Sequence, residues 1–419
     1  MSQLGILYQY EMKKILKRKM TWIAFIGAVL IMLIVCYEAL LNNYSETNAQ
    51  TGESVRFSAY DRVIQRGEQA EKLNGRLIDD ALLKEMQTAF AAVASQETML
   101  ENGSMTGTMI TAVSENEAME EKLAQQRRLY DAVYNYVRGV VGNNKVHTVD
   151  AAAFYDERQR TITAYEDTEF LTGGEREYWR GHERQTPYPY YWDQGPSIML
   201  ACIKTLLALL ALVIGMVFSG VFADEHMRKT DQLALCSRHG RGMLYRAKLL
   251  AAVTLGVAAT FIVGGVTLVS FGILYGYGKN WNAPLQMHLE TSPYALTMGE
   301  AIVIMLVLLL LSALLHSVLT LVLSAWTKSS VATMSLMTAY ILGTVLISVP
   351  GQLRALSQSV SLLPAQLVRG TAFCDMRLVG GAGHYLTNWQ TGMLLYPLLT
   401  LGLALLGSLL YRRWQISGR

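Results

Sequence analysis

The sequence predicts an all-α membrane protein with six transmembrane helices, and three observations support this fold class. Six predominantly apolar runs each reach about 20 residues, the length that an α-helix needs to cross the hydrocarbon core of a bilayer. One polar insertion of about 150 residues separates the first run from the second. Charged residues make up 16% of the chain and fall mainly outside the runs. Backbone groups in hydrocarbon must be paired internally, so each run is predicted to be a helix.

The predicted organisation alternates spans with connecting segments. The six spans are Thr21–Leu41, Ile198–Ala223, Leu249–Tyr275, Met298–Ala325, Ser330–Val349 and Thr391–Tyr411. The remaining segments are an amino-terminal helix at 1–20, the insertion at 42–197, a charged loop at 224–248, two further loops at 276–297 and 350–390, and a tail at 412–419. The first run is too long for the apolar part of a cleaved signal peptide, so an uncleaved anchor is favoured.

Charge placement orients the spans. From Asn42 to Gly195 there are 16 Lys and Arg against 25 Asp and Glu, a net charge of −9, whereas the rest of the chain carries +12. The basic residues beside the spans fall on one side if the spans alternate: Lys13, Lys14, Lys17, Arg18, Lys19, Arg228, Lys229, Arg238, Arg241, Arg246, Lys248, Lys328, Arg412, Arg413 and Arg419. The positive-inside rule makes that side the cytoplasm, so both termini are predicted to be cytoplasmic and the insertion extracellular. These groups form no patch on a soluble domain, which argues against a nucleic-acid partner.

The insertion is predicted to be mainly helical. Its helical segments are Ser58–Leu100, Glu115–Val141 and Asp150–Tyr165, separated by the turn signals Asn102-Gly-Ser and Gly142-Asn-Asn-Lys. An aromatic cluster before the second span is interpreted as an outer interfacial belt, with a carbohydrate or peptide platform as the alternative. Its members are Tyr178, Trp179, Tyr188, Tyr190, Tyr191 and Trp192.

The segment before the first span has the pattern of a basic amphipathic helix. Its apolar face carries Leu4, Leu7, Tyr8, Met12, Ile15 and Leu16. Such a helix lies in the membrane interface. It is compatible both with a simple surface anchor and with an elbow helix that packs beside a partner.

The loop between the second and third spans is dense in charges of both signs. A simple connection could be much shorter than its roughly 25 residues. Asp224, Glu225, Arg228, Lys229 and Asp231 are predicted to project from the membrane as a short helix, which favours a docking surface for a cytoplasmic protein. The complete set of candidate docking residues is Asp224, Glu225, Arg228, Lys229, Thr230, Asp231, Arg238, Arg241 and Lys248.

The order of residues in this loop resembles that of the bacterial type-2 ABC transporter permeases. That family has an acidic residue at the end of the second span, then Gly-Thr, spaced leucines, an Arg, and a Lys that opens the third span. The corresponding residues here are Glu225, Thr230, Leu233, Leu235, Arg241 and Lys248, with Lys229 at the usual Gly position. The segment from Tyr10 to Lys19 and Leu362-Leu-Pro-Ala also look like parts of the family pattern.

The resemblance implies a function and partners. In this family the loop is a coupling helix that docks on a separate ABC ATPase subunit, and two permease chains, identical or paralogous, form a dimer in the bacterial plasma membrane among its lipids. It therefore implies the permease subunit of an exporter for a substrate such as a peptide, an antibiotic or a lipid-like molecule. The alternative is a membrane sensor or mechanotransmitter coupled to an ATPase, with the extracellular domain as its ligand-binding module.

No motif in the sequence supports catalysis by this chain. There is no Gly-x-x-x-x-Gly-Lys-Ser/Thr loop, so ATP and Mg²⁺ are expected to bind to the partner ATPase and no cofactor is expected here. His-Glu-x-x-His and Gly-x-Ser-x-Gly are absent too. The spacing of Cys36, Cys202, Cys236 and Cys374 suggests neither a zinc site nor a disulfide framework.

Ionisable residues inside the predicted spans are the candidates for a transport path. Lys204 lies in the second span and His316 in the fourth, and charge within a membrane indicates function by default. The alternatives are a Lys204 side chain that extends to the interface and a neutral His316 bonded to a neighbouring helix. Glu300 lies near the outer end of its span and is a weaker candidate.

Overall fold

The computed structural model describes residues 2–41, 43–47, 54–58, 67–102, 112–182, 188–230, 242–276, 279–381 and 383–413. These residues are mostly helical, which confirms the helical class. Two small antiparallel hairpins correct the all-α prediction. They pair β1 (Asn43–Thr47) with β2 (Ser54–Ser58) and β3 (Leu378–Gly381) with β4 (His384–Thr387). The glycines at 380 and 383 flank the second turn with positive φ angles, as residues without a Cβ can.

The α-helices, in chain order, are α1 (Gln3–Leu16), α2 (Lys19–Leu41), α3 (Asp80–Asn102), α4 (Ala112–Val141), α5 (Ala151–Thr168), α6 (Gly173–His182), α7 (Gln194–Met227), α8 (Met243–Tyr275), α9 (Met298–Thr327), α10 (Ser330–Leu346), α11 (Arg354–Ser361), α12 (Pro364–Leu367) and α13 (Asn388–Arg412). Short 3₁₀ turns occur at Glu71–Leu73, Leu285–Met287 and Gly370–Cys374. Helices α2, α7, α8, α9 and α13 are long and apolar enough to cross a membrane.

Helix α7 lies at the centre of the apolar bundle. In its most apolar stretch 78% of the residues are buried inside the chain, against 11% for the peripheral α13. It packs against α9, α10, α2 and α8. Helices α8 and α9 approach so closely at Gly256 that a Cβ there would collide with Ser317 Oγ. Small residues at such crossings allow the close backbone contact on which membrane helix packing depends.

The predicted fifth span is a shorter helix than expected. Helix α10 has 17 residues and ends at Leu346 rather than Val349. At 1.5 Å per residue it spans about 25 Å, less than the hydrocarbon thickness of about 30 Å. The carbonyls at its end are bonded by the segment that follows, where Gln366 Nε2 donates to Thr344 O at 2.7 Å and to Ile347 O at 3.1 Å. Pro364 in the Leu-Leu-Pro-Ala stretch begins α12, which lies against this end.

The insertion has its own hydrophobic core, formed where α3, α4 and α5 pack together. Helices α4 and α5 confirm the predicted segments Glu115–Val141 and Asp150–Tyr165, and Asp150 caps α5. The predicted continuous helix Ser58–Leu100 is wrong. Ser58 ends a strand, and Gly75 in an Asn-Gly pair has φ +83°, so α3 begins only at Asp80.

Two members of the aromatic cluster, Trp179 and Tyr190, are buried inside the protein, which corrects the prediction of an interfacial belt for these two residues. Trp179 and Tyr190 are only 5% and 1% exposed. Trp179 Nε1 donates to Met376 O at 2.6 Å and its ring packs edge-on against Tyr294. Burial of large aromatic surface therefore joins the end of the insertion to the loops that precede α9 and α13.

Candidate functional site

Lys248 is the fully buried centre of an ion cluster at one end of the bundle. Its Nζ donates to Glu11 Oε2 at 2.9 Å, to Glu225 Oε1 at 2.7 Å and to Val221 O at 3.4 Å. These three bonds use all the donors of an ammonium group. The residues belong to three helices, because Glu11 lies on α1, Glu225 in the last turn of α7 and Lys248 near the start of α8.

Lys14 balances the charge of this cluster. Its Nζ forms an ion pair with Glu225 and lies 4.0 Å from Glu11 Oε2, so two carboxylates face two ammonium groups. Lys248 also lies over the ring of Phe222, 5.2 Å from its centroid. Burial of an ion is costly unless each charge is paired and bonded, and this arrangement meets both conditions.

A second ion pair ties α7 to the chain between α1 and α2. Arg18 Nη2 lies 3.0 Å from Asp224 Oδ2 and 3.1 Å from Gly220 O. Asp224 and Glu225 therefore do not stand on a separate short helix, as the sequence suggested. Both belong to α7, which continues to Met227, and both contact the amino-terminal segment.

Helix α7 ends in exposed basic residues. Arg228, Lys229 and Thr230 are exposed, and Thr230 Oγ1 donates to Glu225 O at 3.2 Å. Lys229 has φ +57°, the left-handed conformation that glycine adopts most easily. The usual Gly of the family pattern therefore has a physical reason at this position. The candidate residues Asp231, Arg238 and Arg241 lie outside the described residues.

The cluster connects the amino-terminal helix to both ends of the charged loop. Sequence reasoning placed Glu225 and Lys248 in the loop but missed Glu11 and Lys14 as their partners. The available signal was Glu11, an acidic residue in an otherwise basic amphipathic helix. Helix α1 packs against α8 and α2 and buries Ile15, so it is held against the apolar helices of its own chain.

The two candidate path residues line one cavity. Lys204 on α7 and His316 on α9 lie on a space of about 290 Å³ that is completed by α10 and by Ala365 of α12. Lys204 is exposed at the surface of the bundle, whereas His316 is 4% exposed. Within the part of the chain that the structure describes, Lys204 has no carboxylate partner.

His316 is held in one orientation by its own helix. Its Nδ1 lies 2.6 Å from Ser312 O, and a carbonyl can only accept, so Nδ1 carries a proton. In the neutral ring this leaves Nε2 as the acceptor. The ring of Tyr340 on α10 lies 5.7 Å away, centroid to centroid. Glu300 does not reach the cavity, because it completes the capping box of α9 with Thr297.

A third polar cluster joins the insertion to the loops at the opposite end from Lys248. The Glu175 carboxylate accepts from Leu378 N at 2.8 Å and from Thr172 N at 2.8 Å, and it pairs with Arg354. Burial raises the pKa of Glu175, but these bonds and the Arg354 charge outweigh burial and hold it below its ordinary value.

Arg377 forms the other half of that cluster. Its Nη2 lies 2.6 Å from Asp375 Oδ2 and its Nε 3.0 Å from Glu169 Oε2. Burial lowers the pKa of Arg377, yet the hydrogen bonds to Asp375 and the Glu169 charge raise it above its usual range. Burial raises the pKa of Glu169 in spite of the arginine. These groups fix the insertion to the loop that precedes α13.

One protein-family model covers most of the chain. The model of a family described as ABC-2 family transporter protein matches residues 6–351, which include the ion cluster, Lys204 and His316. Neither the curated proteins nor the solved structures contain a match to the chain.

Proposed function

The chain belongs to the ABC-2 family of transporter proteins, and on that premise we propose that it is the permease subunit of an ATP-driven exporter in a bacterial plasma membrane. A separate ABC ATPase would bind and hydrolyse ATP with Mg²⁺. A second permease chain, identical or paralogous, would complete the transport unit. Its substrate would pass along the spans, with the insertion on the outer side and both termini inside.

The observation that carries this proposal is the buried Lys248 between Glu11 and Glu225. A loop that receives force from a moving ATPase must be anchored to the spans, or its displacement would be lost in flexible backbone. Here the last turn of α7 and the first turns of α8 share one cluster with α1. A push on residues 228–242 would therefore move α1, α7 and α8 together.

The exposed residues beyond the cluster are suited to docking. Arg228 and Lys229 carry positive charge at the tip of α7 and make no ion pair within the described residues. We assign docking to these residues together with Asp231, Arg238 and Arg241, and transmission to the buried cluster. Docking and transmission can be tested separately, because Arg228 and Lys229 are exposed whereas Glu11 and Lys248 of the cluster are buried.

The test is co-purification with the ABC ATPase encoded beside the chain, followed by ATP turnover in proteoliposomes. Arg228→Glu with Lys229→Glu should reduce ATPase binding at least about tenfold. Charges at the rim of an interface govern the association rate and fix the register of the complex. Glu225→Gln should leave binding intact and reduce stimulated turnover. Lys84→Glu, an exposed charge reversal on α3 of the insertion, is the matched control and should change neither.

Unchanged binding and unchanged stimulation in both sets of variants would overturn the docking assignment. Loss of binding in the Glu225→Gln variant alone would move docking from the exposed tip to the cluster. Charge reversals at Arg238 and Arg241 extend the same test into the middle of the loop.

One observation favours the sensor or mechanotransmitter as a second candidate. The insertion is fixed to the loops before α9 and α13 by Trp179, Glu175 and Arg377, so a ligand on the insertion could act on the spans. Arg354→Gln removes one of these ties at a partly exposed position. A sensor should lose its response to an external ligand in this variant, whereas an exporter should keep its basal ATP turnover.

A further inference from the structure

The cavity between α7, α9 and α10 has the chemistry of a binding site for an anionic amphiphile. We propose that it holds a carboxylate or phosphate head group at Lys204, with the apolar body of the ligand against the surrounding aliphatic side chains. This inference rests on the proposed function, because it names the substrate class of that permease.

Among the described residues, Lys204 supplies the positive charge at the cavity. Lys204 and His316 are the ionisable residues among the described residues that line it, and no carboxylate is among them. Elsewhere in the bundle the buried lysine, Lys248, is matched by two carboxylates. Lys204 has no carboxylate partner among the described residues, so its ammonium group is available to an anionic ligand.

The remaining wall combines a few hydroxyl groups with an aliphatic surface. Thr205 and Thr344 contribute hydroxyl groups, although Thr344 Oγ1 is already bonded to Tyr340 O. The rest of the wall is aliphatic: Leu207, Ala208, Ala211, Ile341, Val345 and Ala365. A small inorganic anion would leave this aliphatic surface uncovered, whereas an amphiphile covers it.

Size and access limit how much of the ligand fits. A volume of about 290 Å³ lies at the lower end of the usual range for small-molecule pockets, roughly 300–1,000 Å³. Lys204 and Ala211 are seven residues apart on α7, so the cavity extends roughly 10 Å along the helix. It therefore takes a head group and the first carbons of a chain. Lys204 and Thr205 are exposed, so a ligand can enter the cavity on that side.

The test uses the purified full-length chain in nanodiscs of phosphatidylcholine, without any ATPase. The probes are a fatty acid with a photoreactive diazirine and an alkylammonium of the same chain length and label. The variants are Lys204→Met, which keeps the length and removes the charge, and Lys204→Arg, which keeps the charge. Lys19→Met is the matched control, because Lys19 is also an exposed lysine on an apolar helix.

Lys204→Met should weaken labelling by the fatty acid at least about tenfold, as expected for loss of one charge-assisted hydrogen bond. Lys204→Arg and Lys19→Met should label as the original chain does, and the alkylammonium should label all forms weakly. Equal labelling by both probes, or full labelling of Lys204→Met, would overturn the proposal. So would labelled peptides that lie outside α7, α9 and α10.

A second arm identifies the source of the ligand. When phosphatidylglycerol replaces part of the phosphatidylcholine, competition with the fatty acid means that the cavity takes anionic phospholipid of the bilayer, and no competition means that it selects single-chain anions. Both results support the anionic class. ATPase co-purification is a separate measurement: a chain that binds the ATPase but not the fatty acid disproves only the substrate class.

Discussion

Two lysines in apolar helices of this chain have opposite surroundings. Lys248, at the start of α8, is fully buried and touches Glu11 and Glu225. Lys204, in the amino-terminal half of α7, is exposed on a cavity and has no carboxylate partner among the described residues. The same side chain therefore occupies a neutralised site at one end of the bundle and an uncompensated site nearer the other.

The difference separates a mechanical role from a binding role. A charge that is paired inside the protein holds helices together and has no remaining capacity for a ligand, as at Lys248. An exposed charge without a carboxylate partner is available to a ligand, as we propose for Lys204. Substitutions of equal chemistry at the two lysines should therefore give unequal losses of stability and of ligand binding.

The largest effect should follow Lys248→Met. This change leaves Glu11 without its close partner in a buried site, while Glu225 keeps Lys14. Breaking one side of a buried ion pair costs about 3–5 kcal/mol of unfolding free energy. Denaturation of the purified chain in mixed micelles measures the loss.

The double variant Glu11→Gln with Lys248→Met provides the control. It removes the orphaned carboxylate together with its partner, so about half of the lost stability should return. A Lys248→Met variant as stable as the original chain would break the comparison between the two lysines. No recovery in the double variant would mean that the loss came from packing against Phe222.

Local pattern predicted the apolar helices well, because apolar composition and length act within one segment. The second span was predicted as Ile198–Ala223, and α7 contains it with a few added residues at each end. The helix Asp150–Tyr165 was predicted from composition and is observed with Asp150 as its cap. The error at Ser58–Leu100 came from helix-favouring composition that a local Asn-Gly turn overrides.

The site was predicted less completely, because its contacts join residues far apart in the chain. Glu11 and Lys248 are 237 positions apart, and no local pattern connects them. Lys204 and His316 were identified one by one from the rule on charge in membranes, yet their place on one cavity depends on how α7, α9 and α10 pack. Trp179 was assigned to the membrane surface because burial by a loop 197 residues later cannot be inferred from its neighbours.

Glu175→Gln tests whether the unfolding free energy lost on substitution depends on buried pairing rather than on where the residue lies in the bundle. We expect a loss of about 2 kcal/mol at pH 7, since charge-assisted hydrogen bonds contribute about 1.5–3 kcal/mol. The folded-state pKa of Glu175 lies below its ordinary value of 4.5. Its stabilisation is therefore complete above that value and is lost as the pH falls through the folded-state pKa.

Unfolding free energies of the original chain and the variant, measured from pH 7 to pH 3, check this prediction. The gap between the two should narrow as the solution becomes more acidic. A gap that stays constant over this range would mean that Glu175 stabilises by its shape and not by its charge.

Lys229→Gly tests the conformation of the loop entry, just outside the ion cluster. Lys229 has φ +57°, which costs a residue with a Cβ about 1 kcal/mol relative to glycine. The variant should gain up to about 1 kcal/mol in unfolding free energy, reduced by the greater chain entropy of glycine when unfolded. Lys229→Ala is the control, since it removes the charge and keeps the Cβ, and it should gain nothing.

The smallest effect on stability should follow Lys204→Met, the counterpart of the first change. Its side chain is exposed and leaves no orphaned partner, so we expect a change within about 0.5 kcal/mol. Denaturation in the same micelles as Lys248→Met makes the two values directly comparable. A loss of several kcal/mol would show that Lys204 has a partner in the folded chain and is not available to a ligand. A negligible loss of stability together with a large loss of fatty-acid labelling would assign the two lysines to different functions. The charge at Lys204 would then contribute to binding and not to the stability of the fold.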